Sequence, residues 1–355
     1  VLKRDTNGNY PASLAILSSV YEDTQVNFDV GLRIESKYFG TLLAGPVARN
    51  LMRTLFINKA SADKLENRPQ GVDKMTVRKV GVLGAGMMGA GIAFVSAQAG
   101  VEVVLLDANQ ENAEKGKAYA QRILAKQVER GQAPAKQQEA VLARTSPTTD
   151  YALLDNCDLV VEAVFESRPV KADVIGKSEA VLGEKALFAS NTSTLPITGL
   201  AEYSKRPERF IGMHFFSPVE RMPLVEIIVG ENTSDETIAH ALDFVGQLKK
   251  TPIVVNDSPG FHTSRIFCTF IDEGMAMLAE GISPALIENA GKQSGMATGP
   301  LAVTDEVALD LQLKVVEQAE ADNLDDRFRR LHAQPVIRRF NELGRFGRKT
   351  GGGFY

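Results

Sequence analysis

The stretch from Lys79 to Asp107, KVGVLGAGMMGAGIAFVSAQAGVEVVLLD, allows few folds. Its apolar run Val80 to Leu83 has the length of a short buried strand, and Gly84, Gly86 and Gly89 follow at once in the spacing G-x-G-x-x-G. An Ala-rich helix is expected to about Ala99. Gly100 stops it, and a second apolar strand, Val101 to Leu106, ends on Asp107. Together these make one βαβ unit with a dinucleotide-binding fingerprint. Gly84 permits the tight turn, Gly86 puts no side chain in the way of a pyrophosphate, and Gly89 lets helix and strand pack closely. The helix N-terminus, where Met87 and Met88 stand, offers free backbone N–H groups and partial positive charge to phosphates. Asp107 can accept hydrogen bonds from both ribose hydroxyls and would repel the extra phosphate of NADP, so the expected cofactor is NAD. The competing reading, glycines that serve packing alone, has less in its favour given the flanking strands, the helix and the acid.

With 355 residues the chain has room for about two domains and an extension. A net charge of −4 gives no case for a nucleic acid or an anionic membrane as partner. Cys157 and Cys268 are the only cysteines, and both read as buried thiols in a reducing, cytoplasmic compartment. The four histidines lack metal-site spacing, so no metal is expected. No apolar run approaches the roughly 20 residues of a membrane span. The chain begins at Val1 without a Met and shows no signal peptide, which suggests a fragment or a processed product.

Three regions follow in order. Residues 1–77 read as an extension. Val1 to Tyr10 is polar and expected to fray, and Leu14 to Val20 is a short helix candidate. The pattern from Phe28 to Lys64 is helical, with Leu43, Val47, Leu51 and Leu55 recurring every four residues in an amphipathic linker helix that has Pro46 near its start. Glu66 to Met75 reads as a polar linker. Residues 78–256 alternate strands with helices. A helical stretch from Glu111 to Ala143 breaks near Gly131 to Pro134. Strands are expected at Asp158–Val164, Ala186–Ser190, Phe210–Phe216, Leu224–Val229 and Pro252–Asn256, with helices at Val170–Leu182 and Ser234–Leu248. This implies a mostly parallel, Rossmann-type α/β sheet, antiparallel in part where the Phe210 and Leu224 strands lie close in sequence. Residues 257–355 read as an all-α domain, with helices at Gly260–Ala279, Pro284–Ser294, Val303–Ala321 and Pro335–Leu343. The basic residues of its tail, including Arg327, Arg329, Arg330, Arg338 and Arg348, read either as a solvated face or as contacts to an acidic partner.

A nicotinamide site needs a group to handle the substrate proton. His214 stands at a strand end, where open α/β sheets place their ligands, and Glu226 follows on the adjacent strand candidate. A carboxylate beside an imidazole orients the ring and favours its charged form, as suits a base that takes a hydroxyl proton while hydride leaves the same carbon. A strand-end histidine with a purely structural role stays open from spacing alone. Ser193 could bind a substrate oxygen or serve as a helix cap before Pro196. Glu166 and Lys171 could meet the nicotinamide half of the cofactor or pair with each other on the surface. Ala163, near the end of the strand Asp158–Val164, and Asn191, just after the strand Ala186–Ser190, complete the cofactor-binding set.

The blocks VGVLGAGMMGAGIA, DLVVEAVFESRPVK, SNTSTLPIT, MHFFSPVERMPLVEII and VNDSPGF resemble the L-3-hydroxyacyl-CoA dehydrogenase family, and the likeness is colinear from about Val77 to Tyr355. The resemblance implies His214 as catalytic base with Glu226 as its partner, Ser193 holding the 3-oxygen near the nicotinamide, Asp107 on the ribose, and Glu166 with Lys171 at the cofactor. It implies oxidation of a (S)-3-hydroxyacyl-CoA with NAD, the acyl-CoA lying in a cleft between the α/β and helical domains. One position departs: many members have Asn in PGF-x-x-N-R, where this chain has PGFHTSR and so Ser264, shorter and without an amide carbonyl. The segment GLRIESKYFGTLLAGPVARNLMRTLF resembles the linker helix of bacterial multifunctional fatty-acid oxidation α subunits, which implies an adjacent enoyl-CoA hydratase domain and a thiolase subunit in a larger assembly. Apolar surface left uncovered on the helical domain would suit a homodimer. The alternative is a structural or assembly module that binds NAD without efficient turnover.

Overall fold

The computed structural model describes residues 2–131 and 134–355. The chain divides into two compact units, Lys59–His262 and the N-terminal stretch to Asn58 together with Thr263–Tyr355. The first is built on an eight-stranded sheet. Its strands are β1 (Lys79–Leu83), β2 (Glu102–Leu106), β3 (Thr145–Thr148), β4 (Leu159–Glu162), β5 (Leu187–Ser190), β6 (Phe210–Phe215), β7 (Leu224–Val229) and β8 (Thr251–Asn256). They lie in the order β3-β2-β1-β4-β5-β6-β7-β8. All pairings are parallel except β6 with β7, the pair expected to differ because a short loop joins them.

Both faces of the sheet are covered, so its central strands are apolar throughout rather than alternating. Val80 and Val82 of β1, Leu159 and Val161 of β4, and Leu187 and Ala189 of β5 pack into one core. Leu83, Val160 and Phe188, pointing the other way, pack into a second. The strand β3 was not expected from sequence. Its Thr-Ser-Pro-Thr run carries no apolar signal, and Pro147 is accommodated because β3 is the sheet edge.

The glycine turn has the predicted construction. Gly84 has φ +89, and a Cβ there would lie 2.6 Å from the Ala163 carbonyl oxygen. A Cβ at Gly89 would lie 1.8 Å from the carbonyl oxygen of Gly84, which fixes the close approach of helix Met87–Gln98 to β1. The helix after β2 runs Gln110–Glu129, and Ala135–Ala143 follows. The break expected between them includes residues 132 and 133, outside the described residues. Ser234 caps Asp235–Gln247 through its side chain, as predicted.

The segment Glu66 to Met75, read as a linker, is pinned rather than loose. The Arg68 guanidinium donates to both carboxylate oxygens of the buried Asp243 at 2.8 and 2.9 Å, and the Met75 N–H donates to the same carboxylate.

In the other unit, Leu2–Thr6 is helical where fraying was expected; Val1 lies outside the described residues. Helices Pro11–Asp23 and Phe28–Ala44 pair, Asn27 capping the second. The single linker helix expected around Pro46 is in fact interrupted. Gly45 ends the preceding helix, so Leu43 belongs to that one, and Pro46–Leu51 passes into a π-helical turn at Met52–Asn58. Phe28 at 78% and Phe56 at 73% exposure show how much apolar surface these helices present. The C-terminal helices are Thr263–Ala279, Pro284–Gln293, Pro300–Val307, Leu309–Ala321 and Gln334–Glu342. The helix expected over Val303–Ala321 is split at Ala308, whose φ of 78 no helix admits. The basic tail is not merely a solvated face. The Arg330 side chain is only 6% exposed and grips Asp272 and Gln312, Arg338 pairs with Glu320, and Arg348 pairs with Glu306. Cys157 is buried, but Cys268 is only half-buried, which corrects the expectation for that thiol. Among the described residues no helix is long and apolar enough to cross a membrane, and no cluster of side chains could hold a metal.

Candidate active site

The carboxyl ends of β1, β2 and β4 surround a cavity of about 730 Å³. Gly84, Gly86, Met87, Met88, Asp107 and Ala163 line it, six of the ten residues the sequence assigned to the cofactor; Gly89, Glu166, Lys171 and Asn191 are not in its lining. Asp173, Lys177 and Tyr151 also line it and were not anticipated. A Cβ at Gly86 would meet no protein atom within 4 Å, so that glycine faces open space, as a backbone that must approach a pyrophosphate requires. Asp107 already has work within the protein. Its Oδ2 accepts the Ala85 N–H at 2.7 Å, and its Oδ1 accepts from Ala108 N and Asn112 Nδ2. The acid that would meet the ribose thus also holds the glycine turn in place. These features fit NAD: free backbone at Gly86, a helix N-terminus behind it, and a carboxylate at the end of β2.

His214 and Glu226 face each other directly across the antiparallel β6–β7 pair. The ring Nδ1 lies 2.7 Å from Glu226 Oε2. Glu226 is fully buried and His214 is 7% exposed. The second carboxylate oxygen accepts the His262 N–H at 3.1 Å, and Phe216 and Phe261 flank the imidazole with centroids at 4.5 and 6.0 Å. A ring held through Nδ1 by a buried carboxylate presents Nε2 to a ligand, the arrangement of an oriented general base. Asn191 directly follows β5, and its Oδ1 accepts the Phe215 N–H at 2.9 Å. That carbonyl oxygen is therefore used to tie β5 to β6.

Glu166 and Lys171 do not pair on the surface. Lys171 is 1% exposed and its ammonium sits between two carboxylates, Glu162 at 2.8 Å and Glu166 at 3.2 Å. Burial alone would lower the Lys171 pKa, yet the charges of Glu162 and Glu166 outweigh it and raise it. Burial would likewise raise Glu166, but Lys171 and the hydroxyls of Thr192 and Thr194 hold it below its usual range. The backbone N–H of Ser193 donates to Glu166 Oε1 at 3.2 Å. Among the described residues no protein group bonds the Ser193 hydroxyl. Glu162 was missed from sequence although its signal was present: the one charge in the run LVVEAV, in a strand otherwise apolar, needs a buried partner. Ser264 lies in the first turn of Thr263–Ala279, in the other unit.

A doubly wound sheet with a glycine turn, a ribose-type acid and a buried His–Glu pair at its carboxyl edge defines a dinucleotide-dependent oxidoreductase. Comparison with known families agrees in detail: residues 79–258 match the 3-hydroxyacyl-CoA dehydrogenase NAD binding domain and residues 260–355 match the C-terminal domain of the same family. The chain belongs to the 3-hydroxyacyl-CoA dehydrogenase family, NAD-dependent oxidoreductases, and its cofactor is NAD. It is 38% identical over 356 residues to a fatty acid oxidation complex subunit alpha of Shewanella amazonensis, covering 100% of this chain and 49% of that protein. The chain thus spans about half the length of the curated relatives it matches. Among solved structures, (S)-3-hydroxybutyryl-CoA dehydrogenase of Ralstonia eutropha is 38% identical with a TM-score of 0.74, covering 79% of this chain and 99% of that one. A 3-hydroxybutyryl-CoA dehydrogenase of Escherichia coli is 33% identical, also with a TM-score of 0.74, covering 79% of this chain and 60% of that one.

Proposed function

We propose that the chain oxidises the 3-hydroxyl of a (S)-3-hydroxyacyl-CoA to a ketone, with His214 and Glu226 as the general-base pair. The observation that carries this reading is the 2.7 Å contact between His214 Nδ1 and a fully buried Glu226. Bound NAD supplies the acceptor for the hydride that leaves C3. His214 Nε2 takes the hydroxyl proton, and Glu226 stabilises the imidazolium that results. The Ser193 hydroxyl orients the 3-oxygen, and Glu166 keeps its loop in place beside the cofactor. Ser264 is assigned a supporting contact to substrate, where its shorter side chain reaches less far than an amide. The chain's modules are an extension (1–77), an NAD-binding domain (78–256) and a helical domain (257–355).

Relatives twice as long, named as subunits of a fatty acid oxidation complex, support an adjacent enoyl-CoA hydratase domain and a thiolase subunit as partners. The exposed apolar side chains of the N-terminal helices support a homodimer as a further association, and unpaired cysteines suit a cytoplasmic setting. The test is direct: acetoacetyl-CoA and NADH are mixed with the purified chain and NADH absorbance is followed. His214→Gln is expected to lose about 10²–10⁴-fold in kcat with NAD affinity retained. A folded wild-type chain that leaves NADH untouched, or a His214→Gln variant of full activity, would overturn the reading.

A further inference from the structure

At the carboxyl ends of β4 and β5 a chain of polar contacts, buried at Glu162 and Lys171 and part-buried at Glu166, leads to Ser193. It starts at Glu162, the last residue of β4, which is fully buried. Its carboxylate accepts from Lys171 Nζ at 2.8 and 3.0 Å, from the Val164 N–H at 3.2 Å, and from the Ser190 hydroxyl at the end of β5. Lys171 then reaches Glu166 Oε2 at 3.2 Å. The other oxygen of Glu166 is turned toward residues 192–194. It accepts from Thr192 Oγ1 at 2.5 Å, from the N–H groups of Ser193 and Thr194 at 3.2 Å, and from Thr194 Oγ1 at 3.0 Å. Thr192 Oγ1 in turn accepts the Leu195 N–H at 3.0 Å. One carboxylate oxygen therefore closes the whole turn that presents the Ser193 hydroxyl.

The order of the chain matters. Without Glu166 the Ser193 N–H loses its acceptor, the Thr194 N–H keeps only the long 3.4 Å contact to Thr192 Oγ1, and the turn is held less firmly. Without Lys171 the buried carboxylate of Glu162 faces the part-buried one of Glu166 with no cation between them. Without the Glu162 charge, Lys171 has Glu166 as its one remaining charged partner in this cluster and is free to draw that carboxylate off the turn. Three groups thus fix one hydroxyl; Lys171 acts on the turn through Glu166, and Glu162 acts both through Lys171 and through the Ser190 hydroxyl, whose oxygen accepts the Thr192 N–H at 3.3 Å.

We propose that Glu162 and Lys171 are positioning residues for the reaction: they hold the Glu166 carboxylate on the Thr192–Thr194 turn and so set the place of the Ser193 hydroxyl. The proposal rests on the dehydrogenase reading above. Glu162→Gln distinguishes this role from packing, because it keeps the size of the side chain while removing its charge and one of its two acceptor oxygens.

The test is a double-mutant cycle on the full chain, reduction of acetoacetyl-CoA by NADH being the readout. Glu162→Gln and Ser193→Ala are each expected to lower kcat/KM about ten- to a hundredfold. The double variant should be no worse than Ser193→Ala alone, and the NAD dissociation constant should stay within about twofold of wild type. If the two losses multiply, Glu162 acts on something other than Ser193 and the proposal falls. It falls equally if folded Glu162→Gln keeps full activity, or if its loss lies in NAD affinity alone. Should Glu162→Gln fail to fold, Thr194→Val, which removes one donor to Glu166, takes its place in the cycle. A loss of about threefold that vanishes in the Ser193→Ala background supports the proposal, and an additive loss overturns it. An inactive wild-type chain fails the dehydrogenase reading itself, an outcome separate from every variant result.

Discussion

At the scale of single residues, the site is governed by which charges are buried and what answers them. Lys171 is sealed between two carboxylates, so Lys171→Met leaves both without a cation. It should cost about 3–5 kcal/mol of stability, read as a lower urea midpoint. The pH dependence follows from the directions of the shifts. Glu166 is held below its usual range, so its contribution to stability is present above its unfolded pKa of about 4.3 and is lost as pH falls through the lower folded value. Lys171 is raised, so its contribution is present below about 10.4 and is lost as pH rises through the higher folded value. The clamp is therefore whole between about pH 4.3 and 10.4. Urea midpoints of wild type and Glu166→Gln should differ by a constant amount down to about pH 4.3 and converge below it. A gap that widens on acidification would show that Glu166 is not stabilised as an anion. His214 and Glu226 were legible as a pair because two neighbouring strands joined by a short loop leave few registers. The Glu162 link was not, because its partners come from a following helix and from the next strand.

At the scale of elements, the three glycines of the βαβ turn separate into distinct duties that experiment can tell apart. A Cβ at Gly89 collides with the Gly84 carbonyl oxygen, backbone against backbone. Gly89→Ala should therefore destabilise the fold by about 1–3 kcal/mol or more, measured by thermal or urea unfolding. A Cβ at Gly86 meets nothing in the protein. Gly86→Ala should keep close to wild-type stability yet bind NAD at least about tenfold more weakly, measured by titration calorimetry. Equal NAD affinity in Gly86→Ala would remove the pyrophosphate from this turn. Element boundaries were legible where an apolar run met a glycine or a cap, as at β1 and at Ser234. They failed at β3, whose polar residues pair only because β2 lies beside them, and at Ala308, where no local signal marks a break within the apolar stripe.

At the scale of the molecule, each compact unit carries one cysteine, and the two thiols report on the units separately. Burial pushes the Cys157 pKa up to about 11, and its side chain lies in the core of the sheet unit. At pH 8 about one in a thousand of these thiols is ionised, so alkylation must wait for unfolding. Cys268 is also raised by burial but is half-exposed by comparison. Pulsed iodoacetamide labelling followed by mass spectrometry should modify Cys268 first and Cys157 only as the sheet unit opens. Labelling of Cys157 in native buffer at the rate of a free thiol would contradict its burial. The sequence by itself determined the βαβ unit, the cofactor class, the helical C-terminal region and the His214–Glu226 pair. Each of those is written in local spacing: a hydrophobic period, a glycine interval, or two strands joined by one short loop. Only the tertiary structure decided that Glu162 answers Lys171, that Lys171 holds Glu166, and that Glu166 closes the turn bearing Ser193. Those contacts exist because β4 lies between β1 and β5, bringing chain ends nearly thirty positions apart to one edge of the sheet. Hydrogen-bond partners are chosen by distance in space, which a linear pattern does not encode.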